Sequence, residues 1–201
     1  MQDKTDWKKH WEDEHTPWDL KGPHPATRYM TAEAKKILTY DYKDKHVIIP
    51  GSGRAHDAKV FLEKSSKVTA VDLSEIACEE ARKLYGKFPG FEAKSGDFFK
   101  MSESMDADIV FDRAMLCALP SELRKVYVSS VAKVLKKGGL VFTVPFREFE
   151  QEIDGPPFTI SETEMNELFG NDFELVMTER SKFESGLGLI KNEHLYVYSR
   201  K

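Results

Sequence analysis

From residue 45 onward, short apolar runs alternate with helix-period stretches, and this alternation constrains the fold more than any other feature of the chain. Val47-Ile48-Ile49 reads as a buried strand ending at Pro50-Gly51, followed by a helical segment with apolar Ala58, Phe61 and Leu62. Val68-Thr69-Ala70-Val71 reads as a second strand that stops at Asp72, and Ser74 caps a helix over about 75–86. Phe91-Glu92-Ala93 and Ile109-Val110-Phe111 give a third and a fourth strand. A helix over 121–136 ends at Gly138-Gly139, before a fifth strand at Leu140-Val141-Phe142-Thr143-Val144. This rhythm predicts βαβ units, hence an α/β fold with a mostly parallel sheet and helices on both faces.

The last fifty residues change character. Gly155-Pro156-Pro157 forms a rigid loop, and Ser161 with Glu164 makes a capping box for a further helix. Two longer strands near 173–183 and 193–200, joined by a short glycine-containing loop, predict a closing antiparallel hairpin. With neither repeat nor linker, residues 1–201 read as a single domain: a helical lid or cap over 1–40 and a Rossmann-like core over 41–201.

Composition narrows the function. Thirty Lys+Arg stand against 34 Asp+Glu, a net charge of −4, with the two signs interspersed. A nucleic-acid surface needs a dense basic stripe, so no nucleic-acid partner is expected. The charged start MQDKTDWKKH is unlike a signal peptide, and no apolar run is long enough to span a bilayer, so no membrane partner is expected either. Two cysteines, Cys78 and Cys117, fit a reduced cytoplasmic protein. Six scattered histidines without HExxH or Cys/His spacing predict no metal, and hydrolase nucleophile motifs are missing. The expectation is a monomer acting on a small molecule.

The chemistry collects at the strand ends. Gly51-Ser52-Gly53-Arg54-Ala55-His56 lets the backbone turn tightly, but His56 stands where a dinucleotide fingerprint has its third glycine. Asp72 closes the second strand near the offset at which an acid reaches ribose hydroxyls, and it can accept from both of them. Together these predict a nucleoside cofactor without a diphosphate, for which S-adenosylmethionine fits, with S-adenosylhomocysteine as its product. Asp97 can accept from an adenine amino group while Phe98 packs on the ring, and Phe99 reads as ordinary core. Arg113, after Asp112, can pair with a cofactor carboxylate or with Asp112 alone.

All three tryptophans fall in the first eighteen residues. On one continuous helix Trp7, Trp11 and Trp18 would lie within about 40° of one another, but Pro17 is expected to break that helix before Trp18. Such a cluster either buries indoles against the core or closes as a lid over the cofactor. Indole faces attract a sulfonium by roughly 0.5–2 kcal/mol, and a lid would exclude water. The lid is the reading adopted, best ordered with cofactor bound.

These residues also carry a resemblance. Trp7-x3-Trp11 and Thr16-Pro17-Trp18-Asp19 are followed by Ile49-Pro50-Gly51-Ser52-Gly53-Arg54-x2-Asp57 and Val71-Asp72-Leu73-Ser74. Gly96-Asp97-Phe98-Phe99, Asp112-x3-Leu116-Cys117-Ala118-Leu119-Pro120 and Gly155-Pro156-Pro157-Phe158 complete the series. The chain thereby resembles the thiopurine S-methyltransferase family, most closely its thiol/halide methyltransferase branch. The resemblance implies a Rossmann-like class I S-adenosylmethionine-dependent fold with seven strands, and cofactor contacts from Trp7, Trp11, Trp18, Gly51, Asp72, Asp97, Phe98 and Arg113. Two positions depart from the branch. Arg113-Ala114 looks more like the thiopurine-type enzymes than the Tyr-Thr of halide-type members, and Pro145-Phe146 inverts the usual Phe-Pro.

The activity these features imply is methyl transfer to a thiol, bisulfide or halide by in-line displacement. A halide carries no proton, and a free thiol is already partly ionised near neutrality, so no catalytic base is assigned. The competing readings are an S-adenosylmethionine-binding sensor without turnover and an NAD-dependent oxidoreductase; His56 argues against the second.

Overall fold

A computed structural model describes residues 5–34, 40–64, 66–147, 154–179 and 193–201. Its seven strands form one sheet in the order β3-β2-β1-β4-β5-β7-β6, with two antiparallel pairings at the β7 end. The chain divides into two compact units, Asp6–Phe98 and Phe99–Lys201.

The first unit opens with α1 (Trp7–Glu12) and α2 (Pro25–Tyr29), the latter continued by a π-helical turn at Met30–Ala34. β1 (His46–Pro50), α3 (Ala58–Leu62), β2 (Lys67–Asp72), α4 (Glu75–Tyr85) and β3 (Phe91–Ser95) follow as two βαβ units. β1, β2 and β3 pair in parallel, with Val47 beside Val68 and Asp72 beside Ser95. Strands buried on both faces need continuous apolar side chains, and Val47, Ile48 and Ile49 are all buried. α4 begins where expected: the Ser74 hydroxyl accepts from the Ala77 backbone N–H at 3.4 Å. It buries Ala77, Cys78, Ala81 and Tyr85, a stripe at helical spacing.

The second unit contains most of α5 (Phe98–Met101), then β4 (Ala107–Arg113), α6 (Met115–Ala118), α7 (Ser121–Val134) and β5 (Leu135–Val144). α8 (Glu162–Phe169), β6 (Phe173–Glu179) and β7 (Leu195–Arg200) complete it. β4 and β5 are parallel, whereas β7 runs antiparallel to both β5 and β6. Ser161 caps α8 as expected, accepting from the Glu164 N–H at 3.1 Å. The expected extension of the first hairpin strand to 183, and its connecting loop, lie outside the described residues.

One boundary differs from expectation. Helix α7 stops at Val134, and Gly138-Gly139 do not cap it; they sit inside β5. The register jumps there from Ala107 beside Leu135 to Ile109 beside Leu140, so the glycines form an irregularity in the strand, with Gly138 at φ +74°. Added bulk at Gly139 would meet the backbone oxygens of Asp108 and Lys136 at 3.0 and 2.9 Å. That close approach accounts for glycine.

Candidate cofactor site

Strand β1 runs out into a loop with three residues at positive φ: Gly51 (+59°), Gly53 (+52°) and Ala55 (+54°). The loop is tied to the end of β2. Ser52 N–H donates to the Val71 carbonyl at 3.0 Å, and Gly53 N–H donates to Asp72 Oδ2 at 2.8 Å. Ser74 N–H donates to the other oxygen, Oδ1, at 2.9 Å. Burial pushes the Asp72 carboxyl above its ordinary value, and the N–H groups of Ser74, Gly53 and Leu73 pull it back. A carboxylate offers about four acceptor positions, so three backbone donors leave room for about one hydroxyl donor.

Beyond Asp72 the structure exposes apolar surface that the sequence reading did not single out. Leu73 is 42% exposed and Ile76 is 37% exposed, although each adjoins buried residues. A leucine directly after a strand-end acid, outside the apolar stripe of the following helix, is the signal that could have found it. Asp97 stands half-buried just before α5, and the Gly96 N–H donates to the Asp72 carbonyl at 2.8 Å, holding the two strand ends together. Phe98 is buried at 3% exposure, while Phe99 is half-buried and meets Tyr127 edge-on, 6.5 Å between centroids.

The tryptophans do come together, though not along one helix. α1 ends at Glu12, well before Pro17, and Glu14 at φ +54° helps to reverse the chain. Trp18 then packs edge-on against Trp7 at 5.5 Å and Trp11 at 6.4 Å. Trp11 is buried and lies over the loop: a Cβ on Gly53 would sit 3.3 Å from its ring. Its face carries a cation, the Arg54 guanidinium, 4.8 Å from the ring centroid.

Arg54 and its partners were missed because their partners are far apart in sequence. Arg54 reaches Thr16 Oγ1 (3.2 Å), Asp19 Oδ2 (2.5 Å) and Glu80 Oε2 (2.5 Å). His56 bridges Asp19 Oδ1 (3.2 Å) and the Tyr85 hydroxyl (2.9 Å). A cleft of about 770 Å³ opens here, lined among others by Trp11, Arg54, His56, Ile76 and Leu84. Asp57 makes a second tie, accepting from the His24 N–H (2.8 Å) and the Thr27 hydroxyl (2.5 Å) at the start of α2.

Arg113 belongs to the second unit, at the end of β4, with Glu193 Oε1 3.6 Å from its guanidinium. Pairing with Asp112 alone is not what the structure shows. The Asp112 carboxylate instead accepts from the Met115 and Leu116 N–H groups (3.0 and 3.3 Å) and the Thr143 hydroxyl (3.2 Å). Among the described residues no cluster of three or more His, Cys, Asp or Glu could hold a metal ion, and no helix is long and apolar enough to cross a membrane.

Known proteins are similar to this chain over most of its length. The profile of the family "Thiopurine S-methyltransferase (TPMT)" matches residues 2–188. A thiopurine S-methyltransferase of Aliivibrio fischeri (strain ATCC 700601 / ES114) is 32% identical over 179 residues, 81% of each chain. A probable thiol methyltransferase 2 of Arabidopsis thaliana is 28% identical over 165 residues, 81% of this chain and 70% of the relative. Among solved structures, the Burkholderia thailandensis 1,6-didemethyltoxoflavin-N1-methyltransferase with bound S-adenosylhomocysteine superposes with a TM-score of 0.74. It shares 20% identity, over 98% of this chain and 86% of the other, so it is similar in fold. The chain belongs to the thiopurine S-methyltransferase family: it is a methyltransferase, and its cofactor is S-adenosylmethionine.

Proposed function

We propose that the protein transfers the methyl group of S-adenosylmethionine to a small soft nucleophile, a thiol or thiolate, bisulfide or halide, by in-line displacement. The observation that carries the reading is the seating of Trp11, with Trp18 and Trp7 behind it, on the same glycine loop whose amide is fixed by Asp72. Asp72 would accept from a ribose hydroxyl, with Gly51 and Gly53 allowing the backbone to approach. Leu73 offers an apolar platform for the base and Asp97 an acceptor at the same sheet edge. Phe98 and Arg113 complete the proposed contacts, Phe98 by packing behind the base and Arg113 through its charge.

When bound, the cofactor supplies an activated methyl group with a neutral thioether as leaving group. The chain's own contribution is then orientation and exclusion of water, and positioning alone can supply roughly 7–11 kcal/mol of barrier lowering. A sulfur acceptor is supported by the names of the relatives, a thiopurine S-methyltransferase and a probable thiol methyltransferase. No side chain is assigned as base, since a thiol near neutral pH already supplies a reactive thiolate fraction. We further propose that residues 1–201 act as one catalytic domain, a monomer in the cytoplasm, where the free buried Cys78 and Cys117 would stay reduced. Incubation with S-adenosylmethionine and a panel of iodide, bisulfide, alkanethiols and aromatic thiols tests the reading. Methylated product is expected from at least one sulfur acceptor. Tight cofactor binding beside zero turnover across the panel would replace the enzyme by a sensor.

A further inference from the structure

Arg54 is the centre of a polar cluster on the first unit. One guanidinium makes ion pairs with two carboxylates from distant segments, Asp19 and Glu80, and stands over an indole ring. Thr16 adds a hydroxyl to the same nitrogen that Asp19 holds. Burial works against the Asp19 charge, yet the Lys21 backbone N–H, His56 and Arg54 together keep its carboxyl below the ordinary value. A planar fork with several donors can serve these partners at once, which a lysine ammonium cannot do with the same geometry. These contacts join three things: the segment that carries Trp18, the indole that covers Gly53, and α4 through Glu80.

We propose that Arg54 is a positioning residue that clamps Trp11 and residues 16–19 onto the glycine loop, so that opening its pairs with Asp19 and Glu80 sets how fast the cofactor leaves. The proposal rests on the cofactor reading above. Closure requires Arg54 to reach α4 through Glu80 and the N-terminal segment through Asp19 at the same time. Release requires at least one of these pairs to separate. Because the pairs are only partly buried, added salt weakens them.

The test is stopped-flow displacement of S-adenosylhomocysteine, followed by tryptophan fluorescence, in wild type and Arg54→Met at several salt concentrations. Wild-type release should quicken with salt. The variant should release about tenfold faster at low salt, the loss of one charge-assisted contact, and should no longer respond to salt. Hydrogen exchange over residues 7–19 of the free protein should rise in the variant. Wild-type release rates in Arg54→Met, or an unaltered salt response, would overturn the clamp. If Arg54→Met fails to fold, Asp19→Asn and Glu80→Gln each remove one partner; each should quicken release, and unchanged release in both would overturn it equally. Wild-type protein that binds no S-adenosylhomocysteine would instead overturn the cofactor reading, and exchange over residues 7–19 would then decide the clamp alone.

Discussion

Asp72 receives the Gly53 backbone N–H at 2.8 Å, and Gly53 in turn is closely covered, because the Trp11 ring would lie 3.3 Å from a Cβ added there. A strand-end carboxylate, a left-handed turn and a buried indole are thus linked through a single glycine. The carboxylate fixes the turn by charge-assisted hydrogen bonding, and the Trp11 ring lies against the glycine of that turn.

Gly53→Ala should accordingly lower stability and disturb the seating of Trp11 together. At φ +52° a β-carbon costs about 1–2 kcal/mol, and Trp11 must move by a few tenths of an ångström. Chemical denaturation should show that loss, and tryptophan emission of the folded protein should shift. A variant with wild-type stability and emission would mean that the loop does not need glycine here.

Asp72→Ala should weaken S-adenosylmethionine binding by more than about tenfold, the value of a hydrogen bond to a charged group. Binding should also depend on pH in a fixed direction. Burial raises the Asp72 carboxyl, so protonation begins above the ordinary 3.8 as pH falls, and affinity drops with it. Titration calorimetry from neutral to acid pH checks this. Unchanged affinity in Asp72→Ala would remove Asp72 from the ribose contact.

Saturating S-adenosylmethionine should slow hydrogen exchange over the segment that carries Trp7, Trp11 and Trp18. Trp11 is buried already, whereas Trp7 and Trp18 are half-buried and have contact left to gain. Exchange equal with and without cofactor would make the three indoles core side chains and nothing more.

What could be read from the sequence follows the range of the forces involved. The parallel strands were legible because burial on both faces demands unbroken apolar runs such as Val47-Ile48-Ile49, and the caps Ser74 and Ser161 because they act within three residues. Gly138-Gly139 misled because a helix cap and a strand irregularity both call for glycine; only the close backbone of Asp108 tells them apart. Phe98 and Phe99 are adjacent and alike, so their division between packing and a half-exposed position depends on tertiary neighbours such as Tyr127. Arg54 was invisible as a hub because its carboxylates come from positions 19 and 80, and no local pattern joins them.

A last prediction concerns Asp112, whose burial pushes its carboxyl up to about 6 against backbone donors from Leu116 and Met115. A carboxyl raised in the folded state favours folding below its unfolded value of 3.8, and that advantage is lost as pH rises through about 6. Asp112→Asn keeps an oxygen for the Met115 and Leu116 N–H groups and an amide for the Thr143 hydroxyl, but it does not titrate. Relative to wild type, the variant should therefore gain about 1–2 kcal/mol between pH 5 and pH 8. Urea denaturation of both proteins at the two pH values measures that difference directly. An offset between them that stays constant with pH would show that Asp112 is charged in both states across the range, its burial compensated by the donors around it.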